Sequence, residues 1–222
     1  MVLYFHGWNG CTRVLTHREP VPCADGMPAE EGWGLAAAHH TVPSNGLFVA
    51  VQLAWHKRDG SPGGFRHPEA WAALLGAISN AKVGGFRLGK LHPSHVVLVA
   101  HSAGFETALA ALDGNLPLRA DDVVLFDSMY AGADAFTRWL RASPSHRLVS
   151  VHTGRGGPEA QTRLVERTMR RREGPSAVEK VGIDEALRVG PRLTVLKTEV
   201  KHRDIPRALL GPVLTQLLRR DP

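Results

Sequence analysis

Ser102 lies in the run Val96-Val97-Leu98-Val99-Ala100-His101-Ser102-Ala103-Gly104, and Phe105, Ala108, Leu109 and Leu112 follow it at helical spacing. An apolar strand that enters a small-x-Ser-x-Gly turn and leaves as a helix is the pattern of a nucleophile elbow. The turn holds the serine in a strained conformation and lifts its hydroxyl above the sheet edge. Small residues are needed on either side because neighbouring backbone passes close, and Ala100 stands where a glycine is usual. A serine hydroxyl is a weak nucleophile until a base takes its proton. His202, in His202-Arg203-Asp204-Ile205-Pro206, falls between the last apolar run and the last helical pattern. Histidine is the residue type best suited to proton transfer near neutral pH, and the chain order serine, acid, histidine is the one found with such elbows. Two carboxylates compete for the acid. Asp127 ends the apolar run Val123–Phe126, whereas Glu159 follows Gly154-Arg155-Gly156-Gly157-Pro158. A residue ending a strand is held by the ladder, while Glu159 suits the positive end of a helix. Asp127 is therefore the expected acid and Glu159 the alternative.

Acyl transfer also needs donors aimed at the oxygen that becomes negative. The turn His6-Gly7-Trp8-Asn9-Gly10 can present the backbone N–H of Trp8, and Ala103, just after the nucleophile, supplies a second N–H. His6, Gly7, His101 and Gly104 then serve as support for the turn and the elbow. His6, His101, His152 and His202 all fall at carboxyl ends of apolar runs, but no His/carboxylate pair has ligand spacing on one element, so no metal is expected.

The elements that must position these residues alternate short apolar runs with longer helix-period stretches, the pattern of an α/β fold. The runs Val2–Phe5, Leu47–Leu53, Val96–Ala100, Val123–Phe126, Leu148–Val151 and Leu193–Leu196 predict a mostly parallel sheet of about six strands with helices on both faces. Helices are expected from Pro68, from Phe105 to about Asp113-Gly114, around Phe136–Leu140, over Pro158–Arg172 and from about Pro206. No linker or repeat divides residues 1–222, which read as one domain. Residues 11–46 hold only one short helix candidate, Leu35–His40, and are long enough to act as a lid. Residues 173–192, rich in glycine and proline, read as loop with one turn of helix. Trp33 and Trp55 are candidates for a substrate pocket, as is the loop Asp59–Phe65. Trp71, Phe105 and Met129 are read as packing.

Taken together, His6-Gly7-Trp8, the elbow around Ser102 and His202 after the last run resemble the α/β-hydrolase family over most of the chain. The resemblance implies a serine esterase, lipase, amidase or peptidase mechanism and no cofactor. The chain departs from that family in lacking the strands that normally precede the His-Gly turn. The expected activity is hydrolysis of a carboxylic ester, or of an amide, on a small-molecule or acyl substrate through an acyl-enzyme. An acyltransferase and a non-catalytic scaffold that binds a ligand or partner are the alternatives.

The bulk composition fits this reading. A chain of 222 residues with 43% hydrophobic and 22% charged residues can bury an ordinary globular core. The net charge of +6 comes largely from Arg163, Arg167, Arg170, Arg171, Arg172, Arg219 and Arg220. The first five fall on one helical stretch without interleaved aromatics, a solvated face, so no nucleic-acid partner is expected. No apolar run reaches the roughly 20 residues that span a bilayer. The opening lacks a basic n-region, so with Met1 as the native start the expected location is cytoplasmic, and export would require a leader already removed. Cys11 and Cys23 would then be free thiols, whereas an oxidising compartment would allow them to bridge.

Overall fold

Continuous apolar runs can be buried only where both faces of a sheet are covered, and the runs here form such a sheet. The computed structural model describes residues 1–54, 60–83, 85–182 and 185–218; Trp55, Asp59, Arg219 and Arg220 lie outside them. Strands β1 (Val2–Phe5), β2 (Phe48–Val51), β3 (Val97–His101), β4 (Asp122–Phe126), β5 (Arg147–His152), β6 (Val178–Val181) and β7 (Leu193–Lys197) form one sheet. Their order is β6-β7-β5-β4-β3-β1-β2, and every neighbouring pair is parallel.

Successive strand residues point to opposite faces, so each strand feeds two cores. Leu3, Phe5, Leu98, Val123, Leu125 and Leu148 pack on one side. Helices α3 (Pro68–Asn80), α4 (Phe105–Ala110), α5 (Ala133–Ala142) and α6 (Gly156–Glu173) cover them through Trp71, Phe105, Phe136, Leu140, Val165 and Met169. Val2, Tyr4, Val97, Val99, Val124 and Phe126 point the other way, where α1 (Thr12–Thr16), α2 (Leu35–His40) and α7 (Ile205–Leu218) lie over them. Trp71, Phe105 and Met129 are buried in the first core, as expected. The arginines of α6 are spent on its outer face: Arg163 pairs with Glu159 and Arg170 with Glu166, while Arg167, Arg171 and Arg172 are exposed.

Three expectations need correction. Residues 173–192 are not all loop: they contain β6, preceded by the 3-10 turn Pro175–Ala177, which brings the expected sheet of about six strands to seven among the described residues. In Val178-Glu179-Lys180-Val181 only the apolar ends are buried, and the charges between them form ion pairs with Arg188 and Glu166, as suits a short edge strand. The surrounding glycines and prolines mask so short a pattern. Residues 11–46 also hold more than one element, since α1 and a small hairpin of Val21–Pro22 with Ala29–Glu30 precede α2. Finally, Cys11 and Cys23 are not free thiols: they form a disulfide across Cα atoms 5.9 Å apart. No helix among the described residues is long and apolar enough to cross a membrane.

Candidate active site

In an open parallel sheet, ligands settle beyond the carboxyl ends of two strands whose connections leave in opposite directions. Here those strands are β1 and β3. The chain leaves β1 for β2 at one edge, while β3 leads to β4 on its other side. The register is flush at this end: Phe5 lies opposite Ala100, Ala100 opposite Leu125 and Phe126 opposite Val151. His6, Ser102, Asp127 and His152 therefore leave the sheet side by side. A crevice of about 350 Å³ opens between β1 and β3, lined by His6–Cys11, His101 and Ser102, and by His202 and Arg203 from the far side.

Among the described residues, three other than glycine have left-handed backbone, and all three stand at this edge: Asn9 (φ 55°), Ser102 (φ 54°) and Asp127 (φ 45°). Such conformations cost free energy and persist where the surroundings enforce them. At Ser102 the enforcement is visible. The Ser128 hydroxyl donates to the Ser102 carbonyl at 2.6 Å. A Cβ on Gly104 would collide with the Phe5 carbonyl, and one on Gly7 would stand 2.6 Å from the Ser102 Cβ. Both positions demand glycine because the elbow and the β1 turn are pressed together. Trp8, 58% exposed, and Ser102 share the crevice, while Ala103 is buried in the turn Ser102–Gly104.

The β1 turn is fixed by His6. Its Nε2 accepts the Leu53 N–H at 2.9 Å, so Nδ1 carries the proton and donates to the Gly7 carbonyl at 2.7 Å. Burial lowers its pKa, which keeps the ring neutral. Gln52 braces the same turn, donating from Nε2 to the Gly10 carbonyl at 3.1 Å. His101 does a different job. Its Nε2 donates to the His202 carbonyl at 3.0 Å, with the two rings 4.7 Å apart. Burial, then the neighbouring His202, pushes the His101 pKa down to about 3, so this ring too is neutral. His152 reaches inward without joining either pair; its Nδ1 accepts the Gly154 N–H at 3.0 Å, and burial lowers its pKa.

His202 donates from Nδ1 to Asp127 Oδ2 at 2.7 Å, which leaves Nε2 without a proton in the neutral ring. Asp127 is 5% exposed, and its N–H is held by the Val151 carbonyl at 2.7 Å. Burial alone would raise its pKa. The hydrogen bonds from His202 and the Thr153 N–H, with the Coulombic attraction of His202, outweigh that and lower it. Glu159 is elsewhere engaged, 2.6 Å from Arg163 on α6. Of the two candidate acids, Asp127 meets His202.

Ser128, Thr153 and Gln52 complete the surroundings without belonging to any motif. Their one signal in the sequence is position, each being among the first polar residues beyond a strand's carboxyl end. From outside, Val14, Leu15, Glu30 and Trp33 of residues 11–46 close one wall of the crevice. Trp33 stands edge-on to His101 at 5.6 Å, and Arg203 lies over its ring at 6.0 Å. The sequence matches no family model, no curated protein and no solved structure.

Proposed function

We propose that this chain is a serine hydrolase of the α/β-hydrolase type, cleaving a carboxylic ester, or an amide, through an acyl-enzyme. The observation that carries the reading is the 2.7 Å hydrogen bond from His202 Nδ1 to buried Asp127, at the crevice where Ser102 sits on a left-handed turn. Ser102 Oγ attacks the carbonyl carbon while His202 Nε2 takes its proton. Asp127 fixes the productive tautomer and stabilises the imidazolium, and the Trp8 and Ala103 N–H groups hold the oxyanion. The imidazolium then protonates the leaving group, and water repeats the sequence on the acyl-enzyme. A crevice of about 350 Å³ walled by Val14, Leu15 and two tryptophans suits a small, largely apolar acyl group. The bridged cysteines favour an oxidising compartment over the cytoplasm.

The test is labelling with a fluorophosphonate, alongside a screen of activated esters and amides of graded acyl length, with Ser102→Ala as blank. The parent labels and turns over, and the alanine variant, unchanged in thermal stability, does neither. A folded parent that resists labelling would leave a ligand-binding scaffold instead. Product transfer to a competing alcohol in preference to water would make it an acyltransferase.

A further inference from the structure

A second cavity, of about 570 Å³, opens at the opposite edge of the sheet, beside the amino ends of β1, β2, β3 and β5 and the last residues of α7. Its volume is that of an ordinary small-molecule site. Val2, Leu47, Leu91, Leu217 and Leu218 give the wall apolar surface. Its ionisable side chains among the described residues are Lys90, His92, His95 and Arg147, so every one is basic and none is acidic. Arg147 is the best fixed of these. Its Nε and Nη2 donate to the two oxygens of buried Asp122 at 2.7 and 2.9 Å, and Nη2 donates again to the Leu217 carbonyl at 2.8 Å. A guanidinium has five N–H donors in a rigid plane, and these three bonds set that plane. The two N–H groups of Nη1 meet no acceptor among the described residues. Lys90 and His92 are exposed at the same wall, and no carboxylate pairs with either among the described residues. Asp121 is engaged elsewhere, by the Val96 N–H at 2.8 Å. The cavity thus joins apolar surface to a cationic edge set in advance.

We infer that this cavity binds an amphiphilic monocarboxylate, with the carboxylate on Arg147 Nη1 and Lys90 and the hydrocarbon part against Leu47, Leu91, Leu217 and Leu218. The inference is independent of the hydrolase reading and concerns binding alone, since the strained residues Asn9, Ser102 and Asp127 all stand at the other edge. Charge selects the head. Asp122 offsets one of the two permanent cations, Arg147 and Lys90, so the wall carries about one spare positive charge. That matches a carboxylate better than a phosphate dianion. The leucines select the body, because affinity grows with each methylene removed from water. Arg147 loses little freedom when it takes the head, being already held by Asp122 and Leu217. Lys90, long and exposed, can close over the second oxygen.

Backbone amide shifts of the intact protein, titrated with octanoate, test this site by itself, with 1-octanol as the neutral probe and inorganic phosphate as the head without a body. Residues 90–95 and Leu217 shift and saturate with a Kd of about 0.1–1 mM for octanoate, and at least about tenfold more weakly for octanol and for phosphate. Two exposed wall positions serve for variants, because Arg147 also ties α7 to the sheet. Lys90→Glu weakens the octanoate response of these residues about tenfold or more by reversing a charge, and Ser94→Trp does so by filling the cavity. Both keep the thermal stability of the parent. Absence of saturable shifts in residues 90–95 overturns the inference, as do shifts confined to Ser102 and its neighbours, which would place octanoate in the crevice. Equal affinity for octanol would leave an apolar cavity, and equal affinity for phosphate a bare anion patch; either overturns it. An octanoate response unchanged in both variants would detach the ligand from this wall and overturn it too. A chain that takes octanoate here yet resists fluorophosphonate loses the hydrolase reading and keeps this inference.

Discussion

Strand β4 carries a buried aspartate at each end, and the two are built for opposite purposes. Asp122, at its start, is fully buried and fully engaged. Arg147 grips both its oxygens, at 2.7 and 2.9 Å, and His95 Nε2 donates to Oδ2 at 2.6 Å. Arg147 also donates to the Leu217 carbonyl at 2.8 Å, tying α7 to the sheet. Asp127, just past the other end, has one strong partner, His202, and two longer contacts to Thr153 at 3.3 and 3.4 Å. Its partner, His202, lines an open crevice. The first site is closed, with every acceptor used. The second joins Asp127 to a histidine at the crevice, the arrangement the proposed relay requires. Cavity size alone would mislead here, because a larger space of about 570 Å³ lies by Met1, His95 and Arg147 at the closed end. Chemistry is marked by unspent hydrogen-bonding capacity on a strained backbone, not by volume.

Exchanging each carboxylate for an amide tests that contrast where the effect is largest. Asp127→Asn favours the wrong His202 tautomer and withdraws the charge that stabilises the imidazolium. The expected loss is about 10⁴-fold in acylation rate, by analogy with serine proteases. Asp122→Asn, assayed per folded molecule, stays within about threefold of the parent, and Glu159→Gln within about tenfold. Stopped-flow acylation by an activated ester measures all three. Equal losses at Asp122 and Asp127 would erase the distinction.

Stability should rank the two ends in the reverse order. Asp122→Asn leaves Arg147 facing a neutral amide inside the protein, and breaking such a buried pair typically costs about 3–5 kcal/mol. Asp127→Asn loses one charge-assisted hydrogen bond beside solvent, about 1.5–3 kcal/mol. Denaturant midpoints at constant slope give the comparison. A larger loss at Asp127 would mean that the relay, not the ion cluster, holds β4 in place.

How far these ends could be read from the sequence differs for a physical reason. The strands, the elbow, His202 and Asp127 were legible because each is local: an apolar run, then a residue type fixed at the strand's end. The closed cluster was not, since His95, Asp122 and Arg147 are contributed by separate segments and only the parallel register unites them. Strand β6 was hidden because four residues with charges in the middle carry almost no periodic signal. The disulfide was hidden too. Bridging Cys11 to Cys23 depends on the path of the loop between them, and thiol spacing does not encode that path.

Acid titration separates the ends further, with a smaller effect. The His101 pKa is about 3 in the fold against about 6.5 in an unfolded chain, so between these values the unfolded state binds a proton that the native state refuses. Stability from this group is complete above pH 6.5 and declines on acidification towards 3, by up to about 1.4 kcal/mol per pH unit. Asp127, whose pKa is lowered, holds its contribution above the ordinary carboxylate range and loses it only as pH falls through its depressed value. His101→Gln retains an N–H donor for the His202 carbonyl but does not titrate. Its unfolding free energy should fall less steeply than the parent's between pH 6.5 and 4. Parallel profiles would show that His101 titrates normally in the fold and is not held neutral.

The smallest effect is expected from the strap over the open end. Cys11 lines the crevice and directly precedes α1, and its bridge to Cys23 closes the stretch that leads to Glu30 and Trp33. The stretch is anchored at both ends. Thr12 donates from its N–H and hydroxyl to Gln52 Oε1 at 2.9 and 3.0 Å, and Glu31 pairs with Arg207 of α7 at 2.9 Å. Those anchors remain when the bridge is cut, so the wall loosens without leaving. The proposed relay from Asp127 through His202 to Ser102 does not pass through it. Cys11→Ser with Cys23→Ser should therefore raise KM about three- to tenfold and leave kcat within about twofold, since a looser wall weakens ground-state and transition-state binding alike. Reductant added to the parent should reproduce the change and have no effect on the double variant. Proteolytic nicking within residues 12–33 should quicken on reduction and slow again when a covalent inhibitor fills the crevice. A fall in kcat at constant KM would place the strap inside the catalytic relay, and unchanged kinetics with unchanged nicking would detach it from the crevice altogether.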